Sequence, residues 1–88
     1  MASFRLDIVT PVKLIRSADV HMVVVPGAEG DFAVLAGHAP VLSTIRPGTI
    51  EIFATPDAEP ERIDVDGGLA EANETSLTIL TGDLKLLG

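Results

Sequence analysis

Apolar residues recur at every second position along much of this chain, the period of a strand with one buried face. Phe4, Leu6 and Ile8 alternate with Arg5 and Asp7. Val20, Met22 and Val24 share one face against Asp19 and His21, and Val23 and Val25 then make the segment apolar on both sides. Residues 49–53, 62–66 and 76–80 repeat the alternation with strong β-formers. Turn signals separate these runs. Pro47-Gly48 has the residues a type II turn wants at its centre, and the polar stretch 55–60, TPDAEP, predicts a hairpin loop. Gly67-Gly68 predicts a strand break, and Asn73-Glu74 the tip of another hairpin. The best helical candidate, residues 69–73, is short and runs straight into the β-rich TSLTIL. The pattern therefore predicts one all-β domain over residues 1–88, a small two-sheet sandwich or flattened barrel of about ten short strands.

Composition narrows the picture. With 88 residues, 47% of them hydrophobic but only three aromatic, the core must be aliphatic and the domain is near the lower limit for self-support. Cysteine is absent, so neither disulfides nor thiolate metal sites contribute. The net charge of −7 and six scattered basic residues argue against nucleic acid, which demands clustered cations and stacking aromatics. No apolar run approaches the ~20 residues that span a bilayer, so direct lipid insertion is not expected. The N-terminus, MASFRLDIVT, carries an acid within its apolar segment and does not read as a signal peptide. An interior compartment is the expectation.

Few residues offer chemistry. Gly27-Ala28-Glu29-Gly30 resembles a phosphate loop only in its glycines. It lacks the Lys-Ser/Thr of such loops, and Glu29 and Asp31 would repel phosphate. His38 stands in a Gly-His-Ala-Pro turn without a recognisable nucleophile or neighbouring ligands, and is expected to bond local backbone or to face a partner. His21 is expected to be exposed. Asp64-Val65-Asp66 lacks the further oxygens of a calcium loop, and Asp57, Glu59 and Glu61 read as a solvated tip. No catalytic, metal, nucleotide or cofactor site is expected. Glu29 and Asp31 flank Gly30 in a loop confined by glycine and proline, where charged residues serve either recognition or solubility.

The segment 24–48, VVPGAEGDFAVLAGHAPVLSTIRPG, is the most specific stretch. It resembles the signature of the epsilon subunit of F-type ATP synthase, PG-x-x-G-x-F-G-V-L-P-G-H-A-P-L-L-T-x-L-x-P-G. Pro26, Gly27, Gly30, Phe32, Val34, Leu35, Gly37, His38, Ala39, Pro40, Leu42, Pro47 and Gly48 match in register. Ala33 and Ala36 depart from the usual glycine and proline. The resemblance implies a β-sandwich that binds the gamma subunit and contacts the membrane c-ring at the cytoplasmic face of the bacterial inner membrane, or its organelle equivalent. It implies that Glu29, Asp31 and His38 face the ring's basic loops. An apolar strand carrying Val23 and Val25 is expected to meet gamma, and Pro26, Gly27, Gly30, Gly37, Pro40, Pro47 and Gly48 are expected to form turns. The helical hairpin that usually follows this sandwich, which inhibits hydrolysis and in some relatives binds ATP, is expected to be absent. Two other classes compete: an interaction or regulatory module outside the synthase, and a small-ligand-binding sandwich.

Overall fold

The computed structural model describes residues 3–12, 14–82 and 84–85. Among them are eight strands and no helix: β1 (Phe4–Val9), β2 (Leu14–Val20), β3 (Met22–Gly27), β4 (Gly30–Leu35), β5 (Val41–Phe53), β6 (Glu61–Ala72), β7 (Ser76–Leu80) and β8 (Leu84–Lys85). They join one mixed sheet in the order β2-β1-β7-β6-β5-β3-β4, with β8 beside β6. Every described pairing is antiparallel except β1 with β7. The sheet folds over on itself rather than closing, so one continuous ladder supplies both layers of the sandwich.

The fold-over lies where turns were predicted. Pro47 and Gly48 do not form a turn; they lie inside β5, opposite Asp66 and Val65 of β6. Gly67-Gly68 does not end β6, and residues 69–72 extend it, with Leu69 facing Leu80 across the β6–β7 ladder. A ladder whose register runs unbroken from Ile45↔Gly68 to Pro47↔Asp66 can serve both layers only by bending, and the positive-φ Gly67-Gly68 of β6, beside Arg46-Pro47 of β5, marks the place. The bend needs glycine in β6. Gly67 and Gly68 have φ of 96° and 143°, and a Cβ on Gly68 would lie 2.1 Å from the Leu80 carbonyl oxygen. The buried Thr81 hydroxyl donates to the Gly67 carbonyl at 2.9 Å and so satisfies an acceptor at the corner. The described residues thus form eight strands rather than about ten, because β5 and β6 each run on through positions where breaks were expected.

Alternation places the core correctly. Phe4, Leu6 and Ile8 of β1, Ile50 and Ile52 of β5, Ile63 and Val65 of β6, and Leu77 and Ile79 of β7 are all buried. Val23 and Val25 of β3 are fully buried in this same core, at 0% exposure. They point between the layers and cannot meet another subunit; Val24, of opposite parity, is the half-buried outer residue. The predicted partner-facing assignment of Val23 and Val25 is therefore corrected. Outward-facing apolar surface lies elsewhere. Leu69 and Leu80, with Val9, Pro11 and Gly82, line a shallow cleft of about 450 Å³, and Val12 and Leu14 are exposed on the adjoining segment. Across the mouth of the sandwich, Arg16 of β2 forms a two-pronged ion pair with Glu61 at the start of β6, with Nη1 to Oε1 at 2.7 Å. Glu61 is thus a link between distant strands rather than part of a solvated tip.

Candidate functional site

β3 and β4 form a hairpin joined by only two residues, Ala28 and Glu29, with Gly27 opposite Gly30 and Pro26 opposite Asp31. Gly30, at φ 133°, accepts a backbone conformation that side chains resist, which lets the chain reverse in so short a space. The Ala28 amide donates to the Thr44 carbonyl at 2.8 Å and ties the connection to β5. Glu29 is exposed at its tip and makes no ion pair with any described residue. Of the residues expected to turn, Pro26 and Gly27 finish β3 and Gly30 opens β4.

The second reversal follows β4. Gly37, at φ 81°, sits in the turn that the His38 amide closes onto the Leu35 carbonyl at 3.1 Å. Pro40 immediately precedes β5. The His38 ring is half-buried, and its Nδ1 lies 2.6 Å from the Ala39 carbonyl oxygen, so Nδ1 carries the proton and donates to local backbone.

The fold brings the two reversals together. Glu29, Asp31 and His38 line one concavity of about 410 Å³, with Phe32, Val41, Leu42 and Ser43. Leu42 is 72% exposed, an apolar side chain standing beside two acids. Its outward position was readable from parity with the inward Ile45, three residues on, although nothing local marked it as part of a site. Asp31 has a partner that no local pattern reveals. Its carboxylate accepts from Arg46 Nη2 at 2.6 Å, while Arg46 Nη1 donates to the Gly27 carbonyl at 2.5 Å. Asp31 therefore has an internal partner, and of the hairpin's two acids only Glu29 lacks one. Arg46 lies fifteen residues from Asp31, beyond the reach of any local pattern.

The remaining charged groups play structural parts. Asp64 accepts from the Thr49 hydroxyl at 2.6 Å across β5–β6. Arg62 pairs with Glu51, and Arg5 lies between Asp7 and Asp19. Asp57 and Glu59 are exposed in the 55–60 loop, as predicted. His21 is half-buried rather than exposed, and its Nδ1 is buried without a hydrogen-bond partner among the described residues. Among those residues, no cluster of three or more His, Cys, Asp or Glu could hold a metal ion.

Residues 3–85 match the family model for the β-sandwich domain of the ATP synthase delta/epsilon chain. The chain belongs to this family. The ATP synthase epsilon chain 1 of Nitrobacter hamburgensis is 56% identical over 80 residues, covering 91% of this chain and 58% of the relative. The epsilon chain of Rhodopseudomonas palustris strain BisB18 is 51% identical with the same coverage. The chain thus spans a little over half the length of the curated relatives it matches. Among solved structures, a chain of the Euglena gracilis mitochondrial ATP synthase, in a cryo-EM structure of its OSCP/F1/c-ring, superposes with a TM-score of 0.86 at 24% identity. That superposition covers 96% of this chain and 53% of the other. A chain of the Tetrahymena thermophila mitochondrial ATP synthase central stalk and c-ring gives 0.76 at 16% identity, covering 94% and 66%. At these identities the structural likeness establishes the shared fold of the family.

Proposed function

We propose that this chain is a non-catalytic rotor component of an F-type ATP synthase, joining the gamma subunit to the membrane c-ring at the cytoplasmic face of the membrane. The observation that carries the reading is the shared concavity of the hairpin tip and the His38 turn. It presents a carboxylate, an imidazole and an exposed leucine from one end of a domain whose relatives are named ATP synthase epsilon chain. The mechanism is mechanical. Torque passing between ring and catalytic head must cross a foot that neither slips nor deforms. Close-packed aliphatic layers held by a continuous hydrogen-bonded ladder suit that load. The two tight reversals hold the contact residues in short turns between strands rather than on long loops. Glu29 would meet cationic side chains on the ring's polar loops, where complementary charge sets register more than affinity. With Val23 and Val25 inside the core, the gamma contact has to use surface side chains.

Co-purification tests the reading. A tagged full-length chain, expressed in its own source, is expected to elute with gamma and the ring in fixed ratio. Elution without either would replace the rotor reading by that of an interaction module outside the synthase.

A further inference from the structure

We propose that Arg46 is a positioning residue that sequesters Asp31 and holds the β3–β4 hairpin, leaving Glu29 as the one hairpin carboxylate that a cationic partner reads. This rests on the ring-facing reading above for its partner, but not for its geometry. Arg46 occupies the bend of β5, between Ile45, which pairs with Gly27 of β3, and Pro47. From there its guanidinium spans the hairpin. One prong holds the Gly27 carbonyl on β3 and the other the Asp31 carboxylate on β4, on either side of the Ala28–Glu29 connection. A planar fork suits two acceptors at once, which the single ammonium of lysine does not.

The two side chains are 46% and 60% exposed, so the pair adds little to global stability. Its effect is on position and on charge. Corner and hairpin become one unit: the residue at the fold-over of β5 also fixes where the acidic tip stands. Asp31 is neutralised by an internal cation, whereas Glu29 has none. The two acids look equivalent in the sequence, two residues apart around Gly30, and the structure gives them different work.

The test uses the full-length chain and the assembled, membrane-bound complex. Hydrogen exchange of the Ala28 amide, which donates to Thr44, reads the clamp directly. Arg46→Gln should speed that exchange about tenfold, the effect of losing a charge-assisted hydrogen bond, with exchange in the β1 and β7 core unchanged. In the complex, the salt concentration that strips the chain from the ring reads the charge. Glu29→Gln should lower it and flatten its salt dependence. Asp31→Asn should leave the salt dependence as it was, and Arg46→Gln should steepen it by releasing a second acid. Ala28 exchange unaltered by Arg46→Gln would overturn the clamp. Equal losses from Asp31→Asn and Glu29→Gln would overturn the division between the acids. If none of the three variants alters attachment while Ala28 exchange responds, the clamp stands and the ring-facing reading fails.

Discussion

The corner of the sandwich and the tip of its hairpin are bridged by the Arg46 side chain, yet they are held by opposite kinds of force. At the corner, Gly67 and Gly68 bend β6 with the backbone of Leu80 and Thr81 packed against them. The constraint there is steric, because a Cβ at Gly68 would meet the Leu80 carbonyl. At the tip, exposed polar groups are directed by hydrogen bonds: the Arg46 fork, the Ala28 amide on Thr44 and the His38 ring on Ala39. The difference teaches that stability and recognition are separable in this domain. Substitutions at the corner should unfold it without changing what it recognises. Substitutions at the tip should change recognition in a domain that still folds.

The largest effect should come from Gly68→Val, which places a branched side chain against backbone at a φ that valine resists. It should cost about 4 kcal/mol or more in chemical denaturation, or abolish folding. A stable, cooperatively unfolding Gly68→Val protein would show that the corner is not sterically determined. Next, Leu77→Ala removes a fully buried side chain from β7 and should cost about 2–5 kcal/mol by the same measurement. Arg16→Ala, which opens the ion pair to Glu61 across the mouth, should cost no more than about 1 kcal/mol, with the loss shrinking at high salt because both groups are partly solvated. Glu29→Lys should be smallest of all in stability, under about 0.5 kcal/mol, since the side chain is exposed and unpaired.

The same contrast explains how much could be read in advance. Alternation identified the core faces of β1, β7 and half of each long strand, because a period of two is a local property of consecutive residues. It also foretold the Asn73 hairpin, whose side-chain oxygen accepts from the Thr75 and Ser76 amides at 2.9 Å. The turn signals, by contrast, predict a turn at Pro47-Gly48 and a strand break at Gly67-Gly68, and both pairs lie within continuous strands. Locally, glycine and proline mark only a change of direction, and whether the chain turns back or bends within a ladder depends on the neighbouring strand. Val23 and Val25 were assigned outward because three consecutive valines cannot share one face, yet Val24 alone takes the outer side. At the hairpin, the family resemblance located the residues that come together, Glu29, Asp31 and His38. Nothing local could reveal that Arg46 claims one of the two acids, since that pairing exists only once β5 lies beside β3.

The proposed rotor role requires that the acidic tip act in coupling and play no part in the folding of this domain. Proton-driven ATP synthesis by membranes carrying Glu29→Lys, measured alongside gamma content and the thermal midpoint of the isolated full-length variant, tests it most directly. The proposed contact with cationic side chains of the ring predicts that synthesis falls several-fold by charge repulsion, while gamma content and midpoint match the unmodified protein. Normal synthesis from a folded, assembled Glu29→Lys complex would contradict the account and return Glu29 to the role of a solvated surface charge.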